Sequence, residues 1–466
     1  MIFTYAARPI FTKFGDENKL SAFIGVISAF ISNFQRLGET LDYFIAGDYT
    51  FVFLLCGPIY LVCISNTGEA VSSLKTQLHL AHAQILSVLG GGIHETLEAR
   101  PNYDVRQLMG GTELLLNDIL TSCDTATQHI FMDVAPARLN KHTRAKAMAA
   151  LRKHKPKSVL YGMLVAAGRV VAVHKHKDHA LHAADVHVLL NVITNSQSLR
   201  AGEAWTPICL PAFSAQGFLY AYVCYLSPAV ALCLVDSDPM AFPACAAAKV
   251  GIVASLAPNS DPDSPAVPAD PNVAPDALDA LAELELAARL QAWSPSEVDG
   301  AGPELLHVFY RSLTGGQCVI SAPLGPYPLG ATRTGEGDAQ ETTTTGDEAS
   351  ADASMRAMVA ARTPTRDVAR TEPLLMRYRQ LFAKTHGNAP EGRTVAGLFT
   401  RPNEGAPRHA VYVESTADAT LVMLARAKEF ELYLTCLPLT GKEAALAAAH
   451  RVLRWVKREE PNLFLA

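Results

Sequence analysis

The sequence predicts an α/β (α+β) chain of three successive units, each an antiparallel sheet flanked by helices. Three observations carry this. At 466 residues the chain exceeds the about 250–300 over which one hydrophobic core keeps growing, so two or three domains are required. Hydrophobic residues make up 49% and charged residues 18%, which supplies apolar material for several cores and excludes general disorder. Short β-type runs with Gly and Pro turns alternate with helical periodicity along the chain; no strict repeat is visible, and the likeness between pieces is one of element order.

The first unit, 1–125, opens with strand-like runs at Ile2–Tyr5 and Pro9–Phe14. A helix follows from Asn18 to Phe34, because Leu20, Phe23, Ile24, Ile27, Phe30, Ile31 and Phe34 recur at spacings of three and four. Strands are expected at Leu41–Ala46, Tyr49–Cys56 and Ile59–Ser65, with Gly47-Asp48 and Gly57-Pro58 as the turns. An amphipathic helix from about Glu69 to Leu89 is stopped by Gly90-Gly91-Gly92. The order β-β-α-β-β-β-α is that of the longin fold.

The second unit, 134–256, begins with a basic stretch. Strands follow at Val159–Ala166 and Val170–His174, then a helix from Ala183 to Thr194. No charged residue occurs between Glu203 and Asp236, but Pro207, Pro211, Gly217 and Pro228 interrupt that stretch, so it reads as strands around a turn and not as a membrane span. Residues 257–304 form a Pro-, Asp- and Ala-rich linker with one short helix near 276–292. The third unit, 305–466, starts at Leu305–Ser312 and carries an acidic, Thr-rich insertion at about 325–365 that is expected to be disordered. A helix at Leu374–Lys384, strands near 409–415, 419–424 and 429–436, and a helix from Lys442 to Arg458 complete it.

The composition excludes several function classes. With 40 Lys and Arg against 45 Asp and Glu, the net charge of −5 argues against a nucleic-acid binder driven by phosphate neutralisation. Nine cysteines without a CxxC pair read as reduced core residues of a cytosolic protein, and MIFTYAARPIF has no secretory-signal pattern. GxxxxGK[ST], GxSxG and HExxH are all absent, so neither an NTPase, a serine hydrolase nor a zinc protease is expected. The strongest metal candidate is HKHKDHALHAADVH, with His174, His176, His179, His182 and His187 plus Asp178 and Asp185. Lys175 and Lys177 would repel a cation there, and a basic surface loop is the expected reading. No cofactor is expected.

Three features fit binding. In the first helix, Ser21, Gly25, Ser28 and Ser32 follow i, i+4, i+7, i+11, a small-residue stripe that reads as a solvent face or as a face for close approach of another backbone. From Val134 to Lys177 there are eleven Lys or Arg and no Asp or Glu, including Arg152, Lys153, Lys155 and Lys157; this stretch is either a solvated helix and loop or a dock for an anionic leaflet. Trp205 opens TPICLP, where Pro207 and Pro211 suggest an edge strand, and it reads as half-buried core or as a binding hot spot.

The runs RPIFTKFGDENKLSAFIGVISAF, IAGDYTFVFLLCGPIYLVCISNTGEA and LKTQLHLAHAQILSVL resemble the first longin domain of the SAND/Mon family of vacuole-fusion proteins. LHAADVHVLLNVITNSQSLRAGEAWTPICLPAFSAQGFLYAYVCYL resembles that family's second domain, and FELYLTCLPLTGKEAALAAAHRVLRWVKREEPNLFLA its C-terminus. The resemblance implies a non-enzymatic tri-longin subunit that pairs with a Ccz-type tri-longin partner. The pair would act as a guanine-nucleotide exchange factor for the late-endosomal and vacuolar Rab GTPase, in endosome maturation and vacuole fusion. It implies a GTPase and partner surface over Asp16 to Ser32, with Ser21, Gly25 and Ser28 within it, and Trp205 as a contact for an early-endosomal recruiting Rab. It also implies a cytoplasmic chain peripherally associated with endosomal or vacuolar phosphoinositide membrane through Arg152, Lys153, Lys155, Lys157, Lys175 and Lys177. An adaptor or tethering scaffold without exchange activity uses the same folds and is the competing class. Family members commonly carry a long N-terminal extension; here the sequence starts on the first strand, so control located in such an extension is expected to be missing.

Overall fold

The computed structural model describes residues 1–15, 17–125, 131–177, 179–256, 281–282, 284, 293–299, 304–321, 374–382, 410–415 and 421–465. Asp16, Asp178, most of the linker and the acidic insertion lie outside this set. The chain groups into two compact units: 1–85, 91–130 and 328–390 form one, and 86–90, 131–327 and 391–466 form the other.

The first unit holds strands β1 (Ile2–Thr4), β2 (Pro9–Phe11), β3 (Tyr43–Ala46), β4 (Tyr49–Cys56) and β5 (Ile59–Ser65), in the antiparallel order β2-β1-β5-β4-β3. Helix α1 (Glu17–Arg36) sits on this sheet through Leu20, Ile24, Ile27 and Ile31, which meet Phe3, Phe51, Phe53 and Val62 in one buried cluster. Helix α2 (Val71–Leu89) follows β5 after a short turn, and α3 (Gly92–Ala99), α4 (Arg106–Met109) and α5 (Glu113–Thr125) extend the domain beyond the helix-stopping glycines. These three helices escape a reading of the sequence, since each is short and lacks the long apolar periodicity of α1.

The second unit contains two more sheets. Helix α6 (Lys141–His154) precedes β6 (Val159–Ala166) and β7 (Arg169–Lys175); α7 (Ala183–Asn195), β8 (Glu203–Leu210), β9 (Ser214–Tyr225), β10 (Val230–Asp236) and α8 (Phe242–Leu256) follow. Their order, β7-β6-β10-β9-β8, repeats that of the first sheet. The uncharged run between Glu203 and Asp236 is therefore three strands, and no helix among the described residues is long and apolar enough to cross a membrane.

The third sheet has the order β12-β11-β15-β14-β13, from β11 (Leu305–Ser312), β12 (Gln317–Ile320), β13 (Ala410–Ser415), β14 (Leu421–Arg426) and β15 (Phe430–Cys436). Helix α9 (374–382) stands between β12 and β13, the position of α1 in the first repeat, and α10 (Lys442–Leu463) closes the chain. By its contacts α9 groups with the first unit, where Arg379 pairs with Glu69 at 2.9 Å and donates to the Cys123 carbonyl. The chain is thus α+β, three longin-type sheets of one topology, each flanked by helices.

Segment 131–137 is shared between the second and third sheets. Val134 bridges Gln317 of β12 and Pro136 bridges Val170 of β7, both in parallel. Beside this rail, Arg311 of β11 grips Asp133 at 2.6 and 3.3 Å and Glu431 at 2.8 Å, while the Phe131 ring lies 4.5 Å from its guanidinium. Burial opposes the Arg311 charge, but the two carboxylates outweigh it and hold its pKa above the usual value.

Candidate functional site

Helix α1 and the edge strand β3 form the first surface. The stripe expected from spacing divides: Ser21, Gly25 and Ser32 are exposed, whereas Ser28 is 8% exposed and turned toward the sheet. The cause is helical geometry, since Ser28 follows Ile24 by four positions and so falls on the flank of the Ile24, Ile27, Ile31 stripe. Asp16 lies outside the described residues.

Ala22, Val26, Ala29 and Phe30 share the exposed side, with Val26 66% and Phe30 41% exposed. Phe30 reaches Phe34 at 5.0 Å and Phe44 of β3 at 5.5 Å, both edge-on. Phe44 stacks inward on Phe51, and its neighbours Tyr43 and Ile45 (67% exposed) alternate outward as a pleated edge requires. Tyr43 and Ile45 thus lie on the sheet face away from α1, and the surface is the helix face itself, small residues with Val26 and Phe30, beside the unpaired backbone of the edge strand β3, a composition that suits an interface core. A Cβ built on Gly25 meets nothing within 4 Å. Sequence reading finds the small residues of this face; Phe30 escapes it, because it counts as core in a periodicity argument.

Trp205 lies on β8, the edge strand that the two prolines indicate. It is half-buried: its ring stacks on Tyr220 at 5.7 Å, meets Phe242 edge-on at 6.2 Å, and donates Nε1–H to the Pro239 carbonyl at 3.1 Å. Part of the ring thus belongs to the core cluster of the second domain, and the remainder is available at the edge.

The basic stretch resolves into structural and exposed cations. Asn140 caps α6 by accepting the His142 N–H at 3.0 Å. Arg144 is buried and donates to the carbonyls of Val171, Ala137 and Asn462. Arg138 pairs with Glu297 at 2.8 Å. Arg152, Lys153, Lys157, Lys175 and Lys177 are exposed and Lys155 half-buried. Burial first, and then the charges of Lys155 and Arg152, push the His174 pKa down, so the cations at the end of α6 act on the end of β7.

The histidine cluster is dispersed by the fold. His174 is the second-last residue of β7, the His176 and His179 rings lie tilted 5.5 Å apart, and His187 is buried on α7. Among the described residues no group of three ligating side chains could hold a metal ion. Asp185 instead accepts the backbone N–H groups of Ala212 and Phe213 at 3.1 and 3.0 Å, fixing the β8–β9 turn.

Two buried histidines predict acid sensitivity. Burial lowers His187 to about 4 and His307 to about 3, so each is neutral in the folded chain and protonates near pH 6.5 once unfolded. Their stabilisation is complete above pH 6.5 and is lost as pH falls toward those values; at pH 5 each histidine costs roughly 2 kcal/mol. Asp185, raised to about 6 by burial, works in the opposite sense over part of this range. Denaturant titrations at pH 7.5 and 5 are expected to show the loss, and His187→Gln to reduce it by about its share.

Comparison with known proteins follows the same three-part division. Residues 1–119, 157–253 and 351–460 match, in order, the first, second and third longin domains of FUZ, MON1 and HPS1. Over its whole length the chain is 28% identical to vacuolar fusion protein MON1 of Cryptococcus neoformans and 27% identical to the MON1 homolog A of Bos taurus. This chain belongs to the Mon family.

The Mon-family chain spans 64% of the length of the Cryptococcus relative and 70% of the bovine one. With vacuolar fusion protein MON1 of Yarrowia lipolytica it shares 34% identity over 245 residues, 52% of this chain and 45% of that protein.

Proposed function

We propose that this chain is one subunit of a heterodimeric guanine-nucleotide exchange factor for a late-endosomal or vacuolar Rab GTPase, acting in vacuolar trafficking with a Ccz-type tri-longin partner. The observation that carries the reading is the exposed face of α1, beside the edge strand β3, on the first longin domain of a Mon-family chain. Exchange requires no covalent catalyst. A surface that binds the nucleotide-free GTPase more tightly than the loaded one lowers nucleotide affinity by that difference. A backbone-close, apolar face suits the two tasks of holding a partner longin domain and displacing a switch segment.

Membrane association is peripheral in this reading. Arg152, Lys153, Lys155, Lys157, Lys175 and Lys177 meet anionic phosphoinositide headgroups, at about 1 kcal/mol for each charge near the surface. Trp205 provides the contact for a recruiting early-endosomal Rab. Trp205→Ala is expected to reduce recruitment to vesicles carrying that GTPase severalfold while solution exchange is retained; an equal loss in both assays, with a lowered melting temperature, assigns the ring to the core alone.

Release of fluorescent GDP from the late-endosomal Rab tests the main reading, with this chain alone, the Ccz-type partner alone and both together. Acceleration by the pair only is the expected result. A confirmed complex that leaves a responsive GTPase unaffected would identify a tethering scaffold.

A further inference from the structure

Helix α8 departs from the other surface helices. Its sequence, FPACAAAKVGIVASL, has one charge, Lys249, and is apolar on every side. Helices of that composition ordinarily lie inside a core. Cys245, Ala248, Ile252 and Leu256 do face the core cluster, but Pro243, Ala244, Ala247, Val250 and Ala254 recur along the opposite side and are exposed. Val250 is 42% exposed, and Met240, in the turn that leads into the helix, 79%.

Helix α6 continues this surface with the opposite chemistry. His154 Nε2 lies 2.8 Å from Ser255 Oγ, and a Cβ on Gly251 would overlap the His154 ring, so glycine is what lets the two helices pack this closely. The last turn of α6, with Arg152 and Lys153, is thereby set against the C-terminal half of α8. An apolar strip and a basic strip adjoin on one helical layer. Of the acids at its margin, Glu203 pairs with Lys249, while Asp238, two residues before Met240, accepts the Met240 N–H at 2.9 Å and stays exposed.

We infer that the exposed side of α8, led by Met240 and Val250, inserts into the boundary between headgroups and acyl chains of an anionic membrane while the α6 cations hold the headgroups. The inference rests on the membrane reading above and adds an apolar contact to it. Charge complementarity selects the occupant: a helix side whose exposed residues, Pro243, Ala244, Ala247, Val250 and Ala254, carry no charge, beside a run of bases, matches a lipid surface that is apolar beneath an anionic layer. The two contributions respond differently to salt. Added salt screens attraction to the headgroups and leaves apolar insertion in place.

The test is vesicle flotation of the full chain with its partner, using phosphatidylcholine vesicles with and without phosphatidylserine, at low and high salt. Wild type is expected to bind the anionic vesicles and to keep a salt-resistant fraction. Met240→Asp with Val250→Glu is expected to weaken low-salt binding about tenfold and to remove the salt-resistant fraction. Arg152→Glu with Lys153→Glu is expected to remove most of the salt-sensitive part. Both pairs change exposed positions, and an unchanged thermal melt confirms their fold; Met240→Ser with Val250→Ser repeats the test without added charge. Wild type that ignores anionic vesicles overturns the membrane reading and the inference together. Normal salt-resistant binding by the α8 variants overturns the inference alone. Loss of partner co-purification with vesicle binding intact would make α8 a protein interface and likewise overturn it.

Discussion

Arg311→Ala is expected to destabilise the second compact unit by about 3–5 kcal/mol, because it leaves two buried carboxylates without their cation. Asp133 and Glu431 retain 5% and 0% of their side-chain exposure, and both bond Arg311 directly. Glu431 keeps Arg426 at 3.2 Å and the Tyr433 hydroxyl at 3.1 Å, so its deficit is partial; Asp133 takes a bond from Arg311 on each of its two oxygens and suffers more. The same substitution loosens the start of the rail, since Phe131 also packs on the guanidinium, while Val134 stays bridged to β12. Urea denaturation followed by tryptophan fluorescence measures the effect. Arg311→Met and Arg426→Met combined with Asp133→Asn and Glu431→Gln are expected to recover much of the loss, as replacing a whole buried network, Arg426 included, costs far less than removing one member. A loss below about 1 kcal/mol for Arg311→Ala would mean that water reaches these charges.

Gly25→Trp is expected to abolish partner or GTPase engagement, weakening it roughly a hundredfold or more, with folding intact. The position tolerates a side chain in the isolated chain, since no atom lies within 4 Å of where its Cβ would stand, so a bulky ring acts only on what docks there. The flat run of Ala22, Gly25 and Ala29 beside Val26 and Phe30 admits a close neighbour, and an indole would hold it off. Co-elution with the Ccz-type partner and GDP release by the mixture are the two measurements. Undiminished assembly and exchange would remove the first helix from the mechanism. Loss of exchange with assembly retained would place Gly25 against the GTPase, and loss of both would place it against the partner.

Much of the architecture is legible in the residues. Leu20, Ile24, Ile27 and Ile31 announce α1, and Gly47-Asp48 and Gly57-Pro58 announce the β3–β4 and β4–β5 turns, because periodicity and turn chemistry act over a few neighbours. Strand β12 is not legible; four residues are too few for alternation to register. Strand β14 lies at Leu421–Arg426, about two residues beyond its expected place, since Thr and Ala ahead of it blur the boundary. Of the candidate surfaces, the location of the α1 face and the edge position of Trp205 are readable, the latter from prolines that a central strand cannot hold.

The sequence by itself determined the element order of the first sheet and most strands of the other two, the absence of familiar catalytic motifs and the concentration of positive charge between 134 and 177. Only the tertiary structure decided which of those charges are usable. Arg144 and Arg138 satisfy carbonyls and a carboxylate, while Arg152 and Lys157 stay at the surface. It also turned Ser28 inward, joined Arg311 to Asp133 across 178 positions, and left one side of an all-apolar helix in water. The physical reason is range: helical and strand preferences are set by neighbours along the chain, whereas burial and ion pairing depend on what the fold brings alongside.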